Sequence, residues 1–366
     1  MKKYVGITLF IILFSTVTLH AQTLRKGNNT LFKSADWYRT PEALVVADYV
    51  LLLQKDNGGW PKNFKYPVKP MDETFRSKGL AAKAIVRDAT IDNAATYSEI
   101  IFLANMYRAT ADTCYKNALN RGFDFILSLQ YPNGGFRQFS RTDGYYTHIT
   151  YNDNAMNNVM QLMRAISMEH ELFEGLLDSC KEQQARKSFE LGIECILNTQ
   201  YRQADSLTLW CAQHDVETLL PAKARAYELP SLSGSESVGL VELLLQLPDP
   251  NERVQTAIHA AMAWFDAHRI QGKRLEYYTN SDGKRDLRLV DDVNAKDLWA
   301  RFYELESNRP FFCDRDGIIK YDLQEIGLER KMGYGWYTDS PSKLFPKYEK
   351  WKQREKKHQI ASSSDM

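Results

Sequence analysis

The feature that most constrains how this chain folds is a turn that recurs. Leu53-Gln54-Lys55-Asp56-Asn57-Gly58-Gly59-Trp60 is echoed by Leu129-Gln130-Tyr131-Pro132-Asn133-Gly134-Gly135-Phe136, and a looser third copy, Thr199-Gln200-Tyr201, leads after an insertion to Trp210. Each copy ends an apolar run at helical spacing. The Asn-Gly-Gly turn stops the helix because glycine accepts positive φ, and the aromatic after it can fold back onto the helix end. A polar turn and a second helix follow each copy, opening at Asp92-Asn93-Ala94-Ala95, at Asp153-Asn154-Ala155-Met156 and at Ser233-Gly234-Ser235-Glu236-Ser237. Three two-helix hairpins are implied. Hairpins whose helices alternate outward and inward close into an all-α (α/α)3 toroid, with the inner-helix ends gathered at one mouth. In that arrangement Trp60, Phe136 and Trp210 suit packing better than stacking on a ligand.

Outside the repeat, Lys2 and Lys3 precede an apolar run from Val5 to Leu19 and a small residue, Ala21. Residues 1–22 therefore read as a secretory signal peptide. The run is shorter than the roughly 20 residues of a spanning helix, so the expected protein is exported, periplasmic or extracellular, with no membrane-embedded body. Basic and acidic side chains number 47 and 46, a net charge of +1 that leaves no footprint for nucleic acid. Any anionic partner must be met locally. The 5 cysteines are odd in number and lack metal-ligand spacing, which makes them buried small apolar residues rather than a disulfide framework. A single domain is expected over 23–346, and the Lys-rich stretch 347–366 reads as a solvated helix end running into disorder.

Candidate chemistry clusters at the expected mouth. Asp92 and Asp153 occupy matching places in two repeats, and with Asn93 and Asn154 they offer the oxygen ligands that suit calcium. The same residue types also cap helices. A helix N-terminus disfavours a cation unless an anion shares the site. The loop from Pro221 to Gly234 carries Lys223, Arg225 and Tyr227 between two stiffening prolines, Pro221 and Pro230, and leads into the third inner helix. Downstream, Arg301 and Arg309 can grip a carboxylate through paired hydrogen bonds; Arg301 could instead bridge Glu304 or Glu306. The run Tyr334-Gly335-Trp336-Tyr337 fits either a sugar face or a core cap. His148 stands alone among histidines with no paired spacing, so no zinc site is expected.

Taken in order, Gln54 to Asn63, Thr90 to Thr96, His148 to Asp153, Ala224 to Glu228 with Pro230 to Gly234, and Trp299 to Pro310 resemble the pectate lyases of polysaccharide lyase family 10. The resemblance runs from about Ser34 to about Pro341. It implies a toroid with irregular coil and short helices on its N-terminal side, polygalacturonate as partner, calcium as cofactor, and β-elimination by an arginine base; separately, a monomer is expected. By motif, Arg225 corresponds to the base and Asp92 to the aspartate that shares calcium with the substrate carboxylate. Asp153 matches the second acidic position, with Asn154 where the motif can carry another acid. Arg309 matches a carboxylate clamp, with Lys223, Arg301 and Tyr227 as further substrate contacts. Calcium and neighbouring cations are expected to depress the Arg225 pKa somewhat, and the remaining deficit to give an alkaline optimum. A glycoside hydrolase using Asp92 and Asp153, another uronate lyase, and a non-catalytic pectin-binding protein are the competing readings.

Overall fold

The computed structural model describes residues 30–168 and 170–364; the segment read as a signal peptide lies outside them. Helix starts follow side-chain chemistry. α1 (Pro41–Leu53) has proline in its first turn and opens on Thr40, whose hydroxyl accepts from the Ala43 amide at 3.3 Å. α2 (Glu73–Ala82) is capped in the same way by Asp72. Three helical hairpins follow: α3 (Tyr97–Thr110) with α4 (Thr113–Ser128), α5 (Ala155–Ser167) with α6 (Ser179–Thr199), and α7 (Glu236–Leu245) with α8 (Glu252–Ala267). Asp112, Asp178 and Asn251 cap α4, α6 and α8.

Apolar patterning decides which helix of each pair lies inside. Every residue of α5 except Gln161 is buried, Asn157, Asn158 and Arg164 included, and α5 touches both α3 and α7; a helix enclosed on all sides lies at the centre. α8 instead buries one stripe, Val254, Ala257, Ile258, Ala261, Met262, Trp264 and Phe265, and leaves its other residues partly or fully exposed. With α3, α5 and α7 inside and α4, α6 and α8 outside, the molecule is the expected (α/α)3 toroid. Strands are minor. Apart from a hairpin of Lys273–Thr279 with Arg285–Asp291, the described strands are two residues long.

The recurring turn is the joint between outer helices. The Gln54 amide donates to Gly58 O and, across to α4, to Ala118 O, both at 2.8 Å. Gln130 repeats this with Gly134 O at 3.0 Å and Ser188 O of α6 at 2.9 Å. Gln200 does so with Thr208 O at 2.8 Å and Ala257 O of α8 at 3.1 Å. Trp60 and Trp210 return their indole N–H to the helix just ended, at Val50 O and Ile196 O, each at 2.7 Å. Trp299 does the same to Phe265 O after α8, a fourth copy that lacks the turn motif. Trp60, Phe136, Trp210 and Trp299 are all fully buried, so they are packing residues.

Glycine is required in this turn for two reasons. Gly134 has φ +88°, and a Cβ there would lie 1.9 Å from Leu191 O, a main-chain atom that cannot swing aside. Gly134→Ala is therefore expected to destabilise by roughly 3 kcal/mol or more in chemical denaturation. Gly175, at φ +65° with open space around it, should lose only about 1 kcal/mol on the same change. Equal losses would mean that the left-handed backbone, and not the joint, sets the cost.

Two other expectations meet the structure here. Over its described residues the basic C-terminal stretch is helical: α9 (Leu328–Met332) is followed by α10 (Leu344–Ser364). The reason is an apolar face, with Trp351 buried, Tyr348 stacked on it, and His259 of α8 bonded to the Tyr348 hydroxyl at 2.6 Å. The run 334–337 caps a second small core: Trp336 is buried among Phe302, Phe311 and Phe312 and donates to Arg330 O. All five cysteines are free, with Cys195, Cys211 and Cys313 buried. No described helix is long and apolar enough to cross a membrane.

Candidate active site

The mouth is built from short turns that precede the inner helices. Ala89–Thr90 pairs with Trp60–Pro61, and the chain then makes a 3-10 turn, Asp92–Ala94, before α3. Ile149–Thr150 pairs with Gln213–His214 and leads through a like turn, Asn152–Asn154, into α5. Asn93 and Ala94 have φ +50° and +60°, and so do Asp153 and Asn154. The two turns thus superpose with Asp92 on Asn152 and Asn93 on Asp153. The expected match of Asp92 with Asp153 is one residue out of register. Aligning on Thr90 and Thr150, which share the paired-strand position, would have found it.

Neither aspartate caps a helix: the N-cap positions belong to Thr96 and Asn154. Thr96 itself is held at φ +61° by bonds from its hydroxyl to Thr90 O at 2.8 Å and from the Trp60 amide at 3.0 Å. Left-handed backbone at a β-branched residue costs free energy that surrounding contacts must offset, and such residues gather at functional sites.

The turns enclose a cavity of about 290 Å³ lined by Lys62, Asn63, Asp92, Asn93, Gln138, Phe139, Tyr145, Tyr146, Asn152, Asp153, Gln213, Arg225 and Glu228. Asp92 is 3% exposed and ion-paired to Lys62, whereas Asp153 is 41% exposed. Asn93 Nδ2 donates to Asn63 Oδ1 at 2.8 Å, and Asn152 Nδ2 to Asp153 Oδ2 at 2.8 Å. At the other end Arg225 Nε donates to Glu228 Oε2 at 2.7 Å, its Nη2 donates to Oε1, and the Tyr334 hydroxyl donates to Oε1 at 2.8 Å.

This pairing works against the expected depression of the arginine. Hydrogen bonding to Glu228 outweighs burial and holds the Arg225 pKa above its ordinary value, while Arg225 keeps Glu228 below the usual carboxylate range despite its burial. In this state Arg225 is a firmly protonated guanidinium.

The remaining expected residues divide. Arg225, Asp92 and Asp153 come together in the cavity. Arg301 lies behind it, bonding Glu236 and Asn152 Oδ1 (3.2 Å) and 3.6 Å from Asp153, with its guanidinium 4.4 Å from the Tyr334 ring centre. Burial opposes that charge, and Glu236 foremost restores it. Tyr227 is buried under Arg225, ring to guanidinium 5.0 Å. Asn154 is directed at α7, where a Cβ on Gly239 would meet its Oδ1 at 2.6 Å. Lys223 and Arg309 are exposed outside the cavity, Arg309 over Tyr321 at 3.5 Å. Lys62, Gln138 and Gln213, which the sequence reading did not single out, stand two or three residues after Trp60, Phe136 and Trp210; extending the repeat past its aromatic finds all three.

Hard oxygen donors dominate the lining. Three carboxylates line one cavity, Glu228 paired with Arg225 and Asp92 and Asp153 at the other end with the amides of Asn63, Asn93, Gln138, Asn152 and Gln213, and the buried Oε1 atoms of Gln138 and Gln213 have no hydrogen-bond partner. This chemistry fits calcium. No cluster of three or more His, Cys, Asp or Glu that could hold a metal occurs among the described residues, so a cation here needs further oxygens from water or substrate.

The segment bearing Lys62 and Asn63 is tied to α3 through Tyr66, whose hydroxyl donates to Glu99 Oε1 at 2.8 Å, while Oε2 is buried and unpaired. Burial pushes the Glu99 carboxyl up to about 7, against the pull of Tyr66. A raised carboxyl pKa makes stability fall as pH climbs from the unfolded value of 4.5 to about 7, after which it stays low. Glu99→Gln should therefore raise the melting temperature above pH 7, with a gain on the order of 3 kcal/mol that closes toward pH 4.5. A gain independent of pH would show that Glu99 ionises normally.

Comparison with known proteins gives this arrangement a family. Residues 54–345 match the family model described as pectic acid lyase. A family 10 polysaccharide lyase from Cellvibrio cellulosa is 32% identical, with a TM-score of 0.72, covering 90% of this chain and 99% of the other. An aspartate-to-alanine mutant from the same organism, solved with trigalacturonic acid, is 32% identical, with a TM-score of 0.73, covering 86% and 95%. No curated protein matches the chain. With the toroid, the converging mouth and a family match along most of its length, the chain belongs to the pectic acid lyase family and is a polysaccharide lyase.

Proposed function

We propose that the protein is an exported, monomeric pectate lyase that cleaves α-1,4-polygalacturonate by calcium-assisted β-elimination, leaving 4,5-unsaturated ends. The observation that carries this reading is a guanidinium, Arg225, 41% exposed in the same cavity as Asp92 and Asp153. Asp92, Asp153 and the amide oxygens of the lining residues would hold calcium. Its chemistry when bound is to draw negative charge from the uronate carboxylate, where enolate character builds in the transition state.

The chain's own groups supply the rest. Arg225 takes the C5 proton, and for that it must release Glu228 and lose a proton of its own. In galacturonate the C5–H and C4–O4 bonds are axial on opposite faces, so the base approaches one face and O4 leaves from the other, staying on C1 of the neighbouring sugar and taking a proton from water to become its reducing-end hydroxyl. Arg301 holds Glu236, Asn152 and Asp153 in place beneath the reacting sugar. Lys223 and Arg309, exposed cations on loops outside the cavity, would meet uronates further along the polymer.

The test is ultraviolet absorbance of polygalacturonate treated with purified enzyme at alkaline pH, with calcium and with chelator. A calcium-dependent rise supports the reading. New reducing ends without absorbance would mean hydrolysis, and neither would mean binding alone.

A further inference from the structure

Three rings of the cavity wall have no part in the scheme above. Phe139, Tyr145 and Tyr146 are the only aromatic or aliphatic side chains among the cavity-lining residues, all three partly exposed, in contrast to the fully buried aromatics of the repeat. They form a ladder: Phe139 to Tyr146 is 4.8 Å between ring centres at 68°, and Tyr146 to Tyr145 is 4.3 Å at 36°. Lys62 lies over Phe139 at 5.4 Å, at the Asp92 end. Arg141, bonded to Asp143 at 2.6 Å, lies over Tyr146 at 4.5 Å. Tyr145 sits on the 3-10 turn Gly144–Thr147, within Coulombic reach of Arg225 and Glu228.

A pyranose ring presents C–H groups on its faces and hydroxyl and carboxylate groups on its rim. The charged and amide groups of this cavity serve the rim. An apolar face needs a stiff apolar partner, which a half-exposed ring supplies at little cost in conformational entropy. Phe139 and Tyr146 each pack on a neighbouring ring and carry a cation as well, whereas Tyr145, at the end of the ladder, packs on Tyr146 alone and is the ring that can meet a ligand. Resting on the proposed substrate, we propose that Tyr145 stacks on a galacturonate ring and sets its distance from Arg225, with Tyr146, Phe139 and Arg141 as the buttress that keeps Tyr145 upright.

The experiment compares Tyr145→Ala with Tyr145→Phe, by steady-state kinetics on polygalacturonate and by calorimetric titration of trigalacturonate into the uncleaving Arg225→Ala background. Tyr145→Ala should raise both KM and the trimer Kd about tenfold, while Tyr145→Phe stays within about twofold of the parent. Unchanged KM and Kd in Tyr145→Ala would overturn the assignment. So would a Tyr145→Phe enzyme that loses kcat at constant KM, because the hydroxyl would then be moving a proton and the ring would not be the working part. Absence of any trimer binding by the Arg225→Ala protein would sink the proposed substrate, and Tyr145 as its platform with it.

Discussion

Replacing Arg225 with alanine is expected to lower kcat on polygalacturonate by about two to four orders of magnitude, the range a positioned general base contributes. Arginine is a demanding choice, since its pKa is above about 12 and its neutral fraction near neutral pH is vanishingly small. Glu228 makes the demand greater by raising that pKa further. Because activity then requires a proton to leave Arg225, log kcat should climb with pH well into the alkaline range. Glu228→Gln removes the acceptor that stabilises the charged form, so its rise should shift to lower pH. A profile flat from about pH 6 to about pH 10, or an unmoved rise in Glu228→Gln, would remove Arg225 from the role of base.

The second large effect is expected at Asp92. Asp92→Asn keeps the shape of the side chain and removes its charge, and kcat should fall by about two to three orders of magnitude, comparable to losing one electrostatic stabiliser of a transition state. Calcium should no longer stimulate what remains. The fold should survive, because Lys62, 35% exposed, can extend its ammonium into water once its partner is gone. Kinetics over a calcium series, with a melting curve alongside, measures this. Retained calcium stimulation would show that the cation is held elsewhere.

The toroid was legible because its cause is local. Gln54, Gln130 and Gln200 stand where each outer helix ends, and glycine and aromatic follow for backbone and packing reasons that a sequence displays. Arg225 and Asp92 were legible through motifs alone. What escaped was whatever depends on one-residue geometry or on loops meeting across the mouth. The same two left-handed residues close both turns, but Asp92 stands just before the pair and Asp153 is its first member, and an Asp-Asn-Ala string invites the wrong register. Glu228 follows Arg225 by three residues, yet only the turn between them directs its carboxylate back at the guanidinium. Tyr145 and Tyr146 carry no periodic signal, because a 3-10 turn of four residues leaves none. Arg309 shows the converse: a residue type suited to the chemistry, placed on a loop that ends over Tyr321.

The glutamine joints also say something about how such a ring is put together in time. Each one reaches forward, to a carbonyl 64, 58 or 57 residues later in the chain. A freshly made outer helix therefore waits with one amide unanswered until the next outer helix arrives, and every closure has about the same span. The joints are thus alike in span and each ties only neighbouring hairpins, so a chain cut back by one whole hairpin leaves a single open latch at its edge while the earlier latches stay shut.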